Sequence, residues 1–253
     1  MLTVRREQVA AFRRAPRLRF ENLLVRHCFD FHARQCEWLG PEQVRRIVQQ
    51  GIESAAAQGY TTQREAAYFV SLMFLLGSAF YRDPQLPWAR GELGESTLRE
   101  RAGPIPEVYR AARDYLDATA GVNNEYRARA VGRMRAYDLG AVPPSPGTQF
   151  ADDLCKRLNG LYPEKYAYQG DAATRALIRS GMEAAAGYGI SDSQGVAGYV
   201  ILMFVCGAGF DRDLLYPWAM ATLDDPSLKG PGVRGLRLYR AGMDHLAALG
   251  RGE

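Results

Sequence analysis

Lysine and histidine are scarce in this chain. Among 253 residues there are three lysines (Lys156, Lys165, Lys229) and three histidines (His27, His32, His245). No lysine follows a glycine and precedes Ser or Thr, so the loop that cradles phosphates is missing. Neither a G-x-S-x-G elbow nor an H-E-x-x-H pair occurs. Gly207-Ala208-Gly209 follows an apolar helix, where a dinucleotide loop would open one. The four cysteines (Cys28, Cys36, Cys155, Cys206) make no C-x-x-C, which argues against a zinc ribbon or a disulfide framework. Apolar runs stop at 15 residues, Ala66 to Phe80 and Val196 to Phe210. About 20 are needed to cross a bilayer. The opening stretch lacks the apolar run of roughly 7–15 residues that marks a signal peptide. These absences lead us to expect a cytoplasmic, non-catalytic protein with no membrane contact, no cofactor and no metal.

Alternation of apolar and polar residues is also missing, so no sheet is expected. What the chain does contain is one stretch twice. Gly51 to Ala89 and Gly181 to Ala219 align without a gap at an offset of 130 and are identical at 17 of 39 positions. Self-similarity of this kind sets the architecture. The predicted fold is all-α, with two tandem pseudo-equivalent helical units, each built on a buried apolar central helix. The expected division is 1–130 for the first unit with a basic N-terminal helix, 131–149 for a helical and Pro-rich linker, and 150–253 for the second unit. The joint is placed in Pro143-Pro144-Ser145-Pro146-Gly147.

Within the first unit a short basic helix is predicted over 3–14, stopped before Pro16, and then a helix from Phe20 to Trp38. From Pro41, the positions Val44, Ile47, Val48, Gly51, Ile52 and Ala55 form one helical stripe. The second copy puts Thr174, Leu177, Ile178, Gly181, Met182 and Ala185 there. Gly in mid-helix costs about 0.8–1 kcal/mol relative to Ala. Its presence in both copies predicts close approach of another helix. Capping boxes are predicted at Thr62–Glu65 and at Ser191–Gln194, the latter one register earlier. The helices they open, AAYFVSLMFLLGSAF and VAGYVILMFVCGAGF, are apolar nearly all round and are the expected central helices. Further helices are predicted near 105–118 and 235–248.

Cys28, His32 and Cys36 fall at i, i+4 and i+8. On a straight helix the two thiols stand about 12 Å apart, too far to share an ion. The second copy has Leu158, Tyr162 and Tyr166 at these positions, which favours packing. Asp211-Arg212-Asp213 has two carboxylates, but the first copy reads Tyr81-Arg82-Asp83. A structural role is expected for these loops, with Glu53 paired to Arg82 and Glu183 to Arg212. Tyr81, Arg82, Trp88, Asp211, Arg212, Tyr216 and Trp218 are the candidate partner-binding residues, because Trp, Tyr and Arg dominate binding hot spots. Both Trp also suit core plugs. The surfaces beyond the loops differ: Arg90, Glu92 and Glu95 stand against Met220, Thr222 and Asp225.

The run Gly-x-Glu-x-Ala-Ala, a capped helix ending in Leu-Met-Phe, and then Phe-Asp-x-Asp-x-x-x-Pro-Trp-Ala resembles a family of small helical proteins. These are encoded beside type VI secretion effectors and spike-tip proteins in Gram-negative bacteria. Phe210, Asp211, Asp213, Pro217, Trp218 and Ala219 carry the pattern in the second copy. The first keeps Phe80, Asp83, Pro84, Pro87, Trp88 and Ala89 but has Tyr81 where the first Asp is expected. The resemblance implies a tandem duplication of a usually single unit. It also implies a protein-binding accessory of a secreted effector or spike component, acting as adaptor-chaperone or immunity protein. Two alternatives remain open on the sequence. One is a nucleic-acid binder using the Arg-rich start, where Arg5, Arg6, Arg13, Arg14, Arg17 and Arg19 face Glu7 alone. The other is a metal-dependent hydrolase using the Asp83 and Asp213 loops.

Overall fold

The computed structural model describes residues 6–89, 96–143, 149–230 and 232–250. Among these there are thirteen α-helices and no strand, so the all-α expectation holds. They are α1 (Arg6–Phe31), α2 (Ala33–Leu39), α3 (Pro41–Ala57), α4 (Gln63–Leu76), α5 (Leu98–Ala102), α6 (Ile105–Thr119) and α7 (Glu125–Ala136). The remainder are α8 (Phe150–Leu161), α9 (Pro163–Gln169), α10 (Asp171–Gly187), α11 (Ser193–Cys206), α12 (Pro217–Leu223) and α13 (Val233–Gly250). Most of the Pro-rich joint (Pro144 to Gly147) and Arg90, Glu92 and Glu95 lie outside the described residues, as does Arg5.

The helical stripe read from sequence is the buried face of α3, where Val44, Ile47, Val48, Gly51 and Ala55 are buried. In α10 the buried set is Thr174, Leu177, Ile178, Gly181 and Ala185. A Cβ on Gly51 would lie 2.6 Å from Val70 Cγ2, and one on Gly181 would lie 2.7 Å from Val200 Cγ2. Each glycine therefore lets α3 or α10 approach the central helix that follows it. Of the central helices, α11 is buried almost throughout, packed between α10, α13 and α8.

Three local readings need correction. The N-cap of α11 is Asp192, which accepts from Gly195 N at 2.8 Å. The box expected at Ser191–Gln194 does not form, and Gly195 has no side chain to return the bond. Thr62, 130 residues before Asp192, does form its box with Glu65. Second, α1 runs through Pro16. An interior Pro costs about 3 kcal/mol, offset here by burial of Leu24 and Cys28 as α1 packs on α3. Third, the helix expected from Phe20 to Trp38 breaks at His32 (φ −132°, ψ 39°), and α8 gives way to α9 at the matching Tyr162 (φ −144°, ψ 72°).

Contacts between the copies are reciprocal. Helix α6 packs on α9, with Tyr115 and Tyr168 rings 5.2 Å apart. Helix α13 meets α2, with His245 and Trp38 rings 4.3 Å apart. These four positions are themselves related by the offset of 130. The last helix of each copy thus rests on a short helix of the other, and buried residues of both copies belong to one hydrophobic cluster.

Candidate functional site

Both central helices end in a glycine with left-handed backbone, Gly77 (φ 99°) and Gly207 (φ 100°). A Cβ there would meet the other copy: Cys206 O at 3.3 Å from position 77, and Asp83 Oδ2 at 3.0 Å from position 207. This close crossing lets each copy's loop aspartate reach the other copy's chain. Asp213 accepts from Ser78 N at 2.7 Å and from Ser78 Oγ at 2.6 Å. Asp83 accepts from Ala208 N at 2.8 Å. Each also closes its own turn, Asp213 from Leu215 N at 2.9 Å and Asp83 from Gln85 N at 2.8 Å. Both aspartates are buried, and burial pushes their pKa up while these hydrogen bonds pull it back. All four carboxylate oxygens accept from donors of the chain itself. Among the described residues no group of three or more His, Cys, Asp or Glu side chains is arranged to hold a metal ion.

Behind Asp83 lies a cavity of about 40 Å³, whose lining includes Tyr115, Thr119, Arg127, Tyr162, Lys165 and Tyr216. Lys165 is only 5% exposed and donates to Phe204 O. Burial lowers its pKa, and the Asp83 carboxylate acts against that shift. A desolvated amine is the type of group that forms Schiff bases. Small-molecule sites, however, usually run from about 300 Å³ upward, and this chamber has room for water only. Sequence reading missed Lys165. Its one signal was a rare residue type at a position where the first copy has Gln35.

The two loops, each opened by a single 3₁₀ turn (Phe80–Arg82 and Phe210–Arg212), flank an open groove of about 960 Å³. Tyr81, Arg82, Asp211 and Arg212, four of the seven candidate binding residues, line it. Arg82 and Arg212 are exposed, and the Arg82 guanidinium lies 5.5 Å over the Tyr81 ring. Tyr188 Oη donates to Asp211 Oδ2 at 2.7 Å, and Arg212 Nε donates to that phenol at 3.2 Å. Small residues such as Ala79, Ala176, Ser180 and Ala184 keep the groove open. The other three candidates lie elsewhere. Tyr216 is buried and lines the chamber. Trp88 and Trp218 pack on Phe80 and Phe210 at 6.5 and 6.1 Å between ring centroids. Their indole nitrogens are buried without a partner among the described residues.

Among the described residues, the expected ion pairs Glu53–Arg82 and Glu183–Arg212 do not form. Glu53 pairs with Arg17 of α1 at 3.1 Å. Arg212 turns to Tyr188 and to Asp211, 3.9 Å away, while Glu183 is exposed. Cys28 and Cys36 are fully buried, and burial lifts each thiol pKa to about 12. His32 stacks on Phe74 at 4.9 Å. No helix among the described residues is long and apolar enough to cross a membrane. Comparison of the chain with known protein families, curated proteins and solved structures finds no match.

Proposed function

We propose that this chain is a non-catalytic protein-binding accessory of a type VI secretion effector or spike component, and that it seats an acidic segment of that partner in the groove between its two loops. The observation that supports this most is the pair of exposed arginines, Arg82 and Arg212, in the lining of one groove. Asp213 is buried and bonded, and Asp211 is tied to Tyr188, so the exposed charge at the groove is positive. Arg recognises carboxylates through paired hydrogen bonds, and Tyr81 adds an aromatic face beside it. Two loops fixed in one frame also present a partner with a preorganised surface, which lowers the ordering cost of binding. The sequence resemblance points to the same class of role, as adaptor-chaperone or immunity protein.

Photo-crosslinking tests the seat. A crosslinker on Ser180→Cys, inside the groove, is expected to trap one partner protein in the native cell. The same label on Asn159→Cys, exposed outside the groove, is expected to trap none. Equal trapping from both positions contradicts the proposal. The two roles separate on the trapped partner. An immunity protein blocks the partner's toxicity in an isolated cell, whereas an adaptor is needed for its secretion and leaves its activity free.

A further inference from the structure

Helix α7 turns a stripe containing Arg127, Val131 and Arg135, spaced by four residues, toward a cleft of about 340 Å³. Arg34 of α2 stands in the same lining and donates to Leu249 O of α13 at 2.8 Å. The apolar part of the lining includes Phe74, Leu75, Val131 and Leu246, and among the described residues no Asp or Glu takes part. Among the described residues neither Arg127 nor Arg135 makes an ion pair or a side-chain hydrogen bond. Arg127 is half-buried, and a guanidinium keeps its charge at any working pH. Partial removal of an unpaired charge from water is costly, and an arriving anion relieves that cost. Arg127, Leu75 and Tyr216 also line the chamber that holds Lys165 and Asp83, so cleft and chamber share a wall.

From this we infer that the cleft is a binding site for a small amphiphilic anion, with a carboxylate or phosphate head held by Arg127 and Arg135 and an apolar body laid on Phe74, Leu75 and Leu246. Its volume lies at the lower end of small-molecule sites, which suits a medium-length alkyl chain or a single ring system. Among the described residues none lines both this cleft and the groove of the proposed function, so the two readings stand or fall separately.

Isothermal titration of the whole protein with octanoate, octyl phosphate, octanol and inorganic phosphate tests the site. At least one of the two amphiphilic anions is expected to bind one to one. Octanol and inorganic phosphate are expected to bind at least about tenfold more weakly. Whichever of octanoate and octyl phosphate binds tighter identifies the head group. Arg127→Gln and Arg135→Gln are each expected to weaken binding roughly tenfold, and Arg133→Gln, away from the cleft, to leave it unchanged. Arg135 is exposed, so its variant keeps the melting temperature and carries the test even if Arg127→Gln folds poorly. The proposal is overturned if neither anion binds at millimolar concentration, if octanol binds as tightly, or if the Arg135→Gln protein binds as the wild type does.

Discussion

Asp213 accepts hydrogen bonds from both the backbone N–H and the hydroxyl of Ser78, 135 residues earlier in the chain, at 2.7 and 2.6 Å. Asp83 returns the contact to Ala208 N at 2.8 Å, and Ser78 and Ala208 are themselves 130 apart. Each aspartate therefore shapes its own loop and ties down the end of the other copy's central helix. The groove inherits its frame from this exchange, since Ser78, Ala208 and Asp213 are part of its lining.

Removal of the exchange is expected to destabilise the fold. Asp213→Ala leaves two backbone N–H groups and the Ser78 hydroxyl without their buried acceptor. We expect a loss of about 2–4 kcal/mol, and a comparable loss for Asp83→Ala. Urea unfolding measures both. Losses below about 0.5 kcal/mol, the scale of ordinary surface changes, would mean that the contact holds nothing together.

The mid-helix glycines give a contrast of sign. Gly51→Ala and Gly181→Ala drive a methyl into Val70 and Val200, and each should cost about 1–3 kcal/mol. Gly132→Ala in α7 meets nothing within 4 Å and should instead gain roughly 0.5–1 kcal/mol. Thermal melts of the three variants decide this. Stabilisation by Gly51→Ala would show that the helices do not approach there.

Lys165→Met keeps the length of the side chain but strips Asp83 of its buried cation. Asp83 and Lys165 share the chamber without a direct ion pair, so the loss is expected to fall below the about 3–5 kcal/mol of a broken buried pair. The variant raises the Asp83 pKa further, so its deficit is expected to be larger near neutrality than in acid. Unfolding curves at several pH values check this. A deficit independent of pH would show that Lys165 does not act on Asp83.

His245 is buried, neither ring nitrogen has a partner among the described residues, and burial lowers its pKa from 6.5 to about 4. The unfolded chain therefore takes up a proton that the folded chain refuses. Stability from this group is complete above pH 6.5 and is lost as pH falls toward 4, up to roughly 3 kcal/mol. Asp83 and Asp213, raised by burial, act in the opposite sense, and His32 acts in the same sense. All three are retained in His245→Phe, so the difference between the two proteins isolates His245. The wild type should show the steeper loss on acidification, by chemical denaturation across this range. Parallel curves would contradict it.

What the sequence made legible was local. The stripe of α3, the glycine approaches, the Thr62 cap and the apolar central helices follow from spacing and side-chain type within a few residues. The Asp192 cap was within reach too, since it stands opposite Thr62 in the internal alignment. The exchange between Asp213 and Ser78 was not legible, because it depends on how two helix ends cross in space. The same holds for Arg17, which captures Glu53 from α1, and for Lys165, whose burial follows from the placement of α9 against α6. Of the candidate binding residues, the loop tips Tyr81, Arg82, Asp211 and Arg212 do meet in one groove. The aromatic residues after Pro87 and Pro217 turn inward, because the apolar ends of α4 and α11 offer them more contact than water does.

The most direct measurement is affinity capture from the native cell with two tagged proteins side by side, the wild type and Arg82→Glu/Arg212→Glu. Both arginines are exposed, so the variant should melt at the wild-type temperature. The expected result is one stoichiometric protein partner on the wild type that disappears from the variant. The same partner on both, or no stoichiometric partner on either, would contradict the groove as the seat of binding.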